Sequence, residues 1–567
     1  MVRLRTTALL MSVAMLFLAC AGAASPSPSP AAPASTAASA SAAGSPSAAA
    51  SLTPKSGGTL VVGIPGDINR TDPSLVDDAN STYVEQQVVE TLVTLKPGTG
   101  DQIVGDLADS WETSSDGLTY TFKLHPGIKF HDGTDFDANA VKFNFDRWLK
   151  VGPLYTKLGY TYYIDTVITG HVAKTEAPDA STFKVTLTAP NSAFLIQMTL
   201  TPFGIQSPKG LQDGNASAPN FKDNKYAVGG PPAMVGTGPF KFKEWKTGDH
   251  VTLVKNDDYW NKAKGGPYLD QVTFKPISDT TASLNALQSG DIQMGQAFAP
   301  NDVPTIQKDT NLTYYDRGSA CNVGVLAMNQ THKPFDNPMI RQAVGYAVNR
   351  QAIVDSFFGS TGVVLKNWTP PGTKFSKDLT IPTYDPDKAK QLIQQSGVTD
   401  LSFEFWYPSD VSRPYMPDVK GEFEAIQNDL EAVGFKPTPK TKPWKPDYLA
   451  EESTGKYPMW LIGWNCDWLG IDNFLYTAFF GYHSGAPNPE YAYKNDAMNK
   501  DMVDALASSD QATQQSKWEA AQNEIVKDIP SVPIVSGKTP AAGQAYVRGF
   551  VPGPTLLELF QNVWLDK

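Results

Sequence analysis

The sequence predicts an α/β protein folded as more than one lobe, and three observations predict it. At 567 residues the chain exceeds what a single hydrophobic core organises, so two or three lobes are expected. Short runs in the first half alternate apolar and polar residues with the period of antiparallel strands. The second half alternates buried-strand runs with helices that carry explicit start and stop residues, the pattern of an α/β lobe.

The folded part starts near Lys55, and Thr59–Ile64 reads as a buried strand. Thr119–Leu124 sends Tyr120, Phe122 and Leu124 inward, and Thr182–Leu187 repeats the pattern through Phe183, Val185 and Leu187. Pro126-Gly127 is turn chemistry, after which Ile128–Phe130 reads as strand again. Asp137 is placed to cap a helix that carries Val141, Phe145 and Trp148 on one side. In the second half Asn337 precedes Pro338, and Asp385 precedes Pro386, two helix starts with proline at the first helical position. Gly397 stops the second of these helices, and a further helix over Glu422–Val433 is ended by Gly434. Tyr457–Trp464 is a nearly continuous apolar run, which fits a strand buried on both faces. The last helix carries Trp518, Ala521 and Ile525 and ends at Pro530.

The formal net charge is −11, and −13 once Arg3 and Arg5 are removed with the leader. An acidic chain without basic runs is unsuited to nucleic acid. Arg3 and Arg5 precede the apolar run Ala8–Ala19, which is too short to cross a bilayer, and Cys20 follows directly. This arrangement resembles the lipobox of bacterial lipoproteins, with Phe17 where such signals usually carry Leu. It implies a signal peptide over residues 1–20 and a lipid on Cys20. Residues 21–54 are almost entirely Ala, Ser, Pro, Gly and Thr, a composition that buries too little apolar surface to fold. As a tether this segment would reach about 30 Å as a coil and roughly 100 Å fully extended. Cys321 and Cys466 belong to no metal-ligand spacing, and the sequence leaves open whether they pair.

Several segments, in consistent order, resemble the extracytoplasmic solute-binding proteins of the peptide/nickel ABC transporter family. They are Leu107–Trp111 running into Asp116–Phe122, then Lys129–Gly133, Val235–Phe240, Asn256–Trp260, Ile340–Arg350 and Tyr384–Lys390. On their own chemistry most of these residues are structural, with Gly117, Gly133 and Gly238 at positions that suit turns. The resemblance implies a bilobal periplasmic-binding-protein-like fold with a hinge and a ligand cleft between the lobes. Lobe I would span 55–318, with an extra subdomain over about 94–230, and lobe II would span 319–535. Residues 536–567 would return to lobe I. It also implies an ABC permease and ATPase as partners, a monomer held at the outer face of the bacterial cytoplasmic membrane, and no cofactor or enzymatic chemistry.

The expected ligand site lies in the second lobe. Asp467 follows the strand-like run ending at Trp464, and ligands of open α/β sheets bind beyond the carboxyl ends of strands. In peptide-binding members of the family an acidic residue at this place holds the peptide α-ammonium, a strong charge-assisted contact. Arg413 and Tyr415 stand in a Ser-Arg-Pro-Tyr segment similar to that of the dipeptide receptors, where the Arg grips the α-carboxylate. Two fixed charges act as a ruler and favour a dipeptide, since an extended chain spans at most about 3.6 Å per residue. Trp406, Trp464 and Trp468 are candidate pocket walls or core residues. After Asp467 the run Leu469–Phe474 departs from the family's Gly-Asp-Pro-Asp-Asn-Phe. Receptors of the same fold for oligosaccharides, nickel chelates or longer peptides are the nearest alternatives. A secreted hydrolase is a remote one, because the sequence carries neither HExxH nor GxSxG.

Overall fold

The computed structural model describes residues 53–155, 161–555 and 557–567. The leader, Cys20 and residues 21–52 of the tether lie outside the described residues. Pro54–Lys567 forms one compact unit.

Three sheets organise this unit. The first has seven strands, ordered Leu312–Tyr315, Ala541–Gln544, Met294–Gly295, Thr59–Ile64, Gln271–Pro276, His250–Lys255 and Phe240–Lys246. Thr59–Ile64 sits in its middle, paired in parallel on both sides, and is accordingly apolar on both faces. The second is an antiparallel four-stranded sheet of Ala108–Thr113, Thr119–Leu124, Thr182–Leu187 and Val172–Asp179. Tyr120, Phe122 and Leu124 point into its core as the alternation predicts. The helix Ala138–Tyr155 covers the sheet with Val141, Phe145 and Trp148, and Asp137 accepts from the Ala140 amide at 2.9 Å. Ile128–Phe130 is not a strand. Only a single bridge between Lys129 and Asp135 forms there, because the turn at Pro126-Gly127 is followed at once by a second turn at Gly133.

The third sheet is the scaffold of lobe II. Its order is Gly362–Val364, Ser531–Gly537, Asn322–Met328, Met459–Asn465, Ser402–Pro408 and Lys436–Lys442. The last three run parallel to one another, Asn322–Met328 runs against them, and Ser531–Gly537, antiparallel to Asn322–Met328, runs in their direction. Helices Pro338–Ala347 and Pro386–Ser396 begin at Asn337 and Asp385 as expected, each side chain accepting from the first helical turn. The third helix starts earlier than the apolar spacing indicates, at Val419, because Asp418 caps it by accepting from the Gly421 amide at 3.0 Å.

A two-stranded ribbon joins the lobes. Leu312–Tyr315 pairs with Ala541–Gln544 in the first sheet, and the same two chain segments pair as Asn322–Met328 and Ser531–Gly537 in the third. At the crossing, Arg317 pairs with both carboxylate oxygens of Glu558 at 2.7 and 2.9 Å, with both side chains buried. Asn322 closes the ribbon by exchanging two hydrogen bonds with the Gly537 backbone. The pairing of the cysteines, undecided in the sequence, is resolved here. Cys321 on the ribbon is disulfide-bonded to Cys466, with 5.3 Å between their Cα atoms.

Candidate functional site

The three parallel strands of lobe II end on one edge of the sheet, and the loop after each carries a distinctive side chain. Asp467 follows Met459–Asn465, Arg413 follows Ser402–Pro408, and Trp444 follows Lys436–Lys442. Neighbouring strands lie about 4.8 Å apart, so the three loops fall within one small area. This is the edge at which open α/β sheets bind ligands.

Local packing decides how each loop is seated. Gly324 and Gly463 are directly opposed across two strands. A Cβ on Gly463 would come within 2.4 Å of the Tyr415 ring, and one on Gly324 within 2.7 Å of the Tyr415 carbonyl oxygen. The paired glycines therefore form a notch that takes Tyr415, which is 5% exposed, and anchor the Arg413 turn on the sheet. Burial pushes the Tyr415 phenol up to about 12. Trp406 is also buried, stacked on Tyr457 at 4.4 Å between ring centroids, and its indole donates to Glu404. Trp468 is 1% exposed and donates to Asp472 at 2.9 Å. Only Trp464 of the three tryptophans is half-exposed, with its ring 6.1 Å from that of Tyr162.

Asp467 is held by a residue the sequence did not single out. Asn473 donates to its carboxylate at 3.1 Å and accepts from its backbone amide and from the Trp464 indole, both at 3.1 Å. The disulfide fixes the other side of the loop, where the Cys466 amide donates to the Cys321 carbonyl at 2.7 Å. Across the cleft, the Tyr162 and Tyr163 hydroxyls each donate to the Asp467 carboxylate at 3.0 Å. Burial raises the Asp467 carboxyl to about 6, against the lowering effect of the hydrogen bonds from Asn473, Tyr163 and Tyr162. The two phenols are pushed well up, first by burial and then by the Asp467 charge.

Other contacts also cross between the lobes. Lys445 lies 3.9 Å from Asp77, the Ser192 amide donates to the Leu506 carbonyl, and Leu469 fills the space that Gly100 leaves by lacking a side chain. The lobes are therefore closed on each other. A cavity of about 40 Å³ lies between them beside the ribbon, lined in part by Pro414, Asn465, Cys466 and Thr555. A larger depression of about 580 Å³, bordered by Gln288, Asn311, Tyr546 and Arg548, takes no residue from lobe II and lies apart from these loops.

Arg413 is unlike the other described arginines. Arg147 and Arg317 pair with buried carboxylates, Arg341 and Arg350 donate to backbone carbonyls, Arg70 donates to the Asn69 carbonyl, and Arg548 lies 4.0 Å from Asp566. The Arg413 guanidinium has no such partner among the described residues; its Nε is buried without an acceptor, and its carbon sits 5.0 Å from the Trp444 ring centroid. Trp444, which stands between Pro443 and Pro446, was not singled out in the sequence.

Comparison with known proteins agrees with this architecture. Residues 102–486 match the profile of the bacterial extracellular solute-binding proteins, family 5 Middle. Over 483 residues the chain is 31% identical to the di/tripeptide-binding protein 1 of Pseudomonas aeruginosa, covering 82% of this chain and 87% of that one. It is 29% identical to heme-binding protein A of Haemophilus influenzae, covering 87% and 90%. The structure of the ABC transporter-associated periplasmic binding protein DppA from Helicobacter pylori, in complex with the peptide STSA, superimposes with a TM-score of 0.76. That match has 28% identity and covers 90% of this chain and 99% of that one. A bilobal α/β body with a hinge ribbon, and a family match over most of its length, identify the chain as a member of the family 5 extracellular solute-binding proteins, which are transport receptors and not enzymes.

Proposed function

We propose that this protein captures short peptides, dipeptides first, between its lobes and delivers them to an ABC permease. Asp467 takes the α-ammonium and Arg413 takes the α-carboxylate. The observation that carries this reading is the pairing of an unpartnered guanidinium with a carboxylate on loops of neighbouring parallel strands. Burying an N–H without an acceptor costs about 1–3 kcal/mol, and a ligand carboxylate supplies the acceptor. An extended dipeptide spans about 7 Å, comparable with one to two strand spacings. The peptide-binding relatives support the ligand class, and the heme-binding relative makes heme a necessary control. Closure would follow from differential affinity, since a ligand shifts the lobes only as far as it prefers the closed arrangement. The lipid on Cys20 would hold the receptor at the outer face of the membrane, with residues 21–54 as its tether.

The test is isothermal titration and thermal unfolding of the full-length protein in detergent. The ligands are alanyl-alanine, its N-acetyl and C-amide forms, tetra-alanine, an oligosaccharide, nickel-histidine and heme. The expected result is binding of free dipeptide, weakened by blocking either end and lost in Arg413→Ala and Asp467→Asn. Stabilisation by sugar, chelate or heme alone, with both variants unaffected, overturns the ligand assignment.

A further inference from the structure

The geometry points to Trp444 as a second donor for the ligand carboxylate, a specificity-determining residue that makes the site select peptides with a free C terminus; this rests on the carboxylate reading of Arg413. Trp444 is the one tryptophan among the described residues whose indole N–H is buried with no acceptor. Elsewhere buried indoles are satisfied: Trp148 donates to Ser74, Trp368 to Ser531, Trp460 to Glu452 and Trp468 to Asp472. Buried polar groups in native proteins are paired as a rule, so an orphan asks for a cause. Here two orphans adjoin, because the Arg413 Nε is also buried without an acceptor and its guanidinium lies over the Trp444 ring.

The pair is held in place and is not a chance contact of two mobile loops. The Trp444 amide donates to the Asp410 side chain at 2.6 Å, which ties its loop to the loop that carries Arg413. The indole stacks on Tyr448 at an interplanar angle of 20°, and Tyr448 is fully buried with its hydroxyl bonded to the Leu461 carbonyl at 2.9 Å. A rigid aromatic donor beside a guanidinium asks for one acceptor group with two oxygens and negative charge, which describes a carboxylate. A C-terminal amide satisfies it poorly, since its NH₂ would face a second donor. Rejection by an unpaired buried group is the strongest form of selectivity available to a binding site.

The variant Trp444→Phe keeps the stacked ring and removes the N–H. Titration of the full-length protein should show affinity for alanyl-alanine falling about tenfold, as for one hydrogen bond to a charged acceptor, while affinity for its C-terminal amide stays unchanged. Trp444→His, which keeps a ring donor, should recover part of the preference. If Trp444→Phe binds the free acid like the wild type while Arg413→Ala does not bind, Arg413 alone reads the carboxylate and this inference is overturned. If neither change affects binding, the two-ended clamp itself fails. Should Trp444→Phe not fold, the wild-type protein labelled at tryptophan nitrogen decides: one indole resonance should move downfield with the free acid and not with the amide, and no such movement overturns the inference.

Discussion

Lowering the pH from 7.5 to 5 should weaken peptide binding about tenfold, and the cause lies in one carboxyl. Asp467 must be ionised to accept an ammonium, yet burial raises it to about 6. Simple titration leaves it roughly 97% ionised at pH 7.5 and about 9% at pH 5, and the apparent affinity falls by that ratio. The peptide's own groups do not mask the effect, since its carboxyl titrates near 3.5 and its amine near 8. The groups around Asp467 are Tyr162, Tyr163 and Asn473, with Asp77 and Asp78 behind Tyr163. Asp78 is also raised by burial, and Asp472, raised to about 6, is bonded to Trp468 and not to the cleft. Near pH 6, binding should release about half a proton, readable by calorimetry in buffers of different ionisation enthalpy. The stability of the free protein should move the opposite way. A raised carboxyl contributes stability that is complete below its unfolded value near 3.8 and lost as pH rises through about 6. An affinity constant within twofold from pH 5 to 7.5, or an Asp467→Asn variant that binds with the wild-type profile, would refute this account, and Asp472→Asn provides the control.

Two further outcomes follow from the cleft and the hinge. Replacing Tyr162 and Tyr163 together with Phe removes two hydroxyl donors to a carboxylate between the lobes, each worth about 1.5–3 kcal/mol at most. The ligand-free protein should open, seen as a larger radius of gyration in small-angle scattering, and an unchanged radius would show that other contacts hold the closure. Changing Cys321 and Cys466 to Ser should lower stability by about 2–5 kcal/mol, measured as a melting point several degrees lower than that of the oxidised protein.

Local signals were read from the residues with little loss. The caps at Asp137, Asn337 and Asp385 stand where expected, and the alternation at Tyr120, Phe122 and Leu124 faces the core. The errors have local causes as well. The helix after Asp418 begins before its apolar spacing does, and two successive turns prevent Ile128–Phe130 from joining a sheet. The positions at the sheet edge were legible in part: the apolar run ending at Trp464 marks the strand before Asp467, whereas Arg413 was singled out only by its Ser-Arg-Pro-Tyr segment, and the strand before it was not foreseen.

What the sequence by itself determined, then, is the class of fold, its helix ends and the charged residues at one edge of a sheet, because periodicity, capping and turn chemistry act over a few neighbouring residues. Only the tertiary structure decided which side chains share that edge. Tyr162 and Asp467 meet across lobes from positions 305 apart in the chain, and Cys321 meets Cys466 from 145 apart. Trp406 and Trp468 turned inward while Trp444, unremarkable between prolines, came to lie against Arg413. Contacts of this kind depend on strand order and lobe closure, which no local spacing encodes.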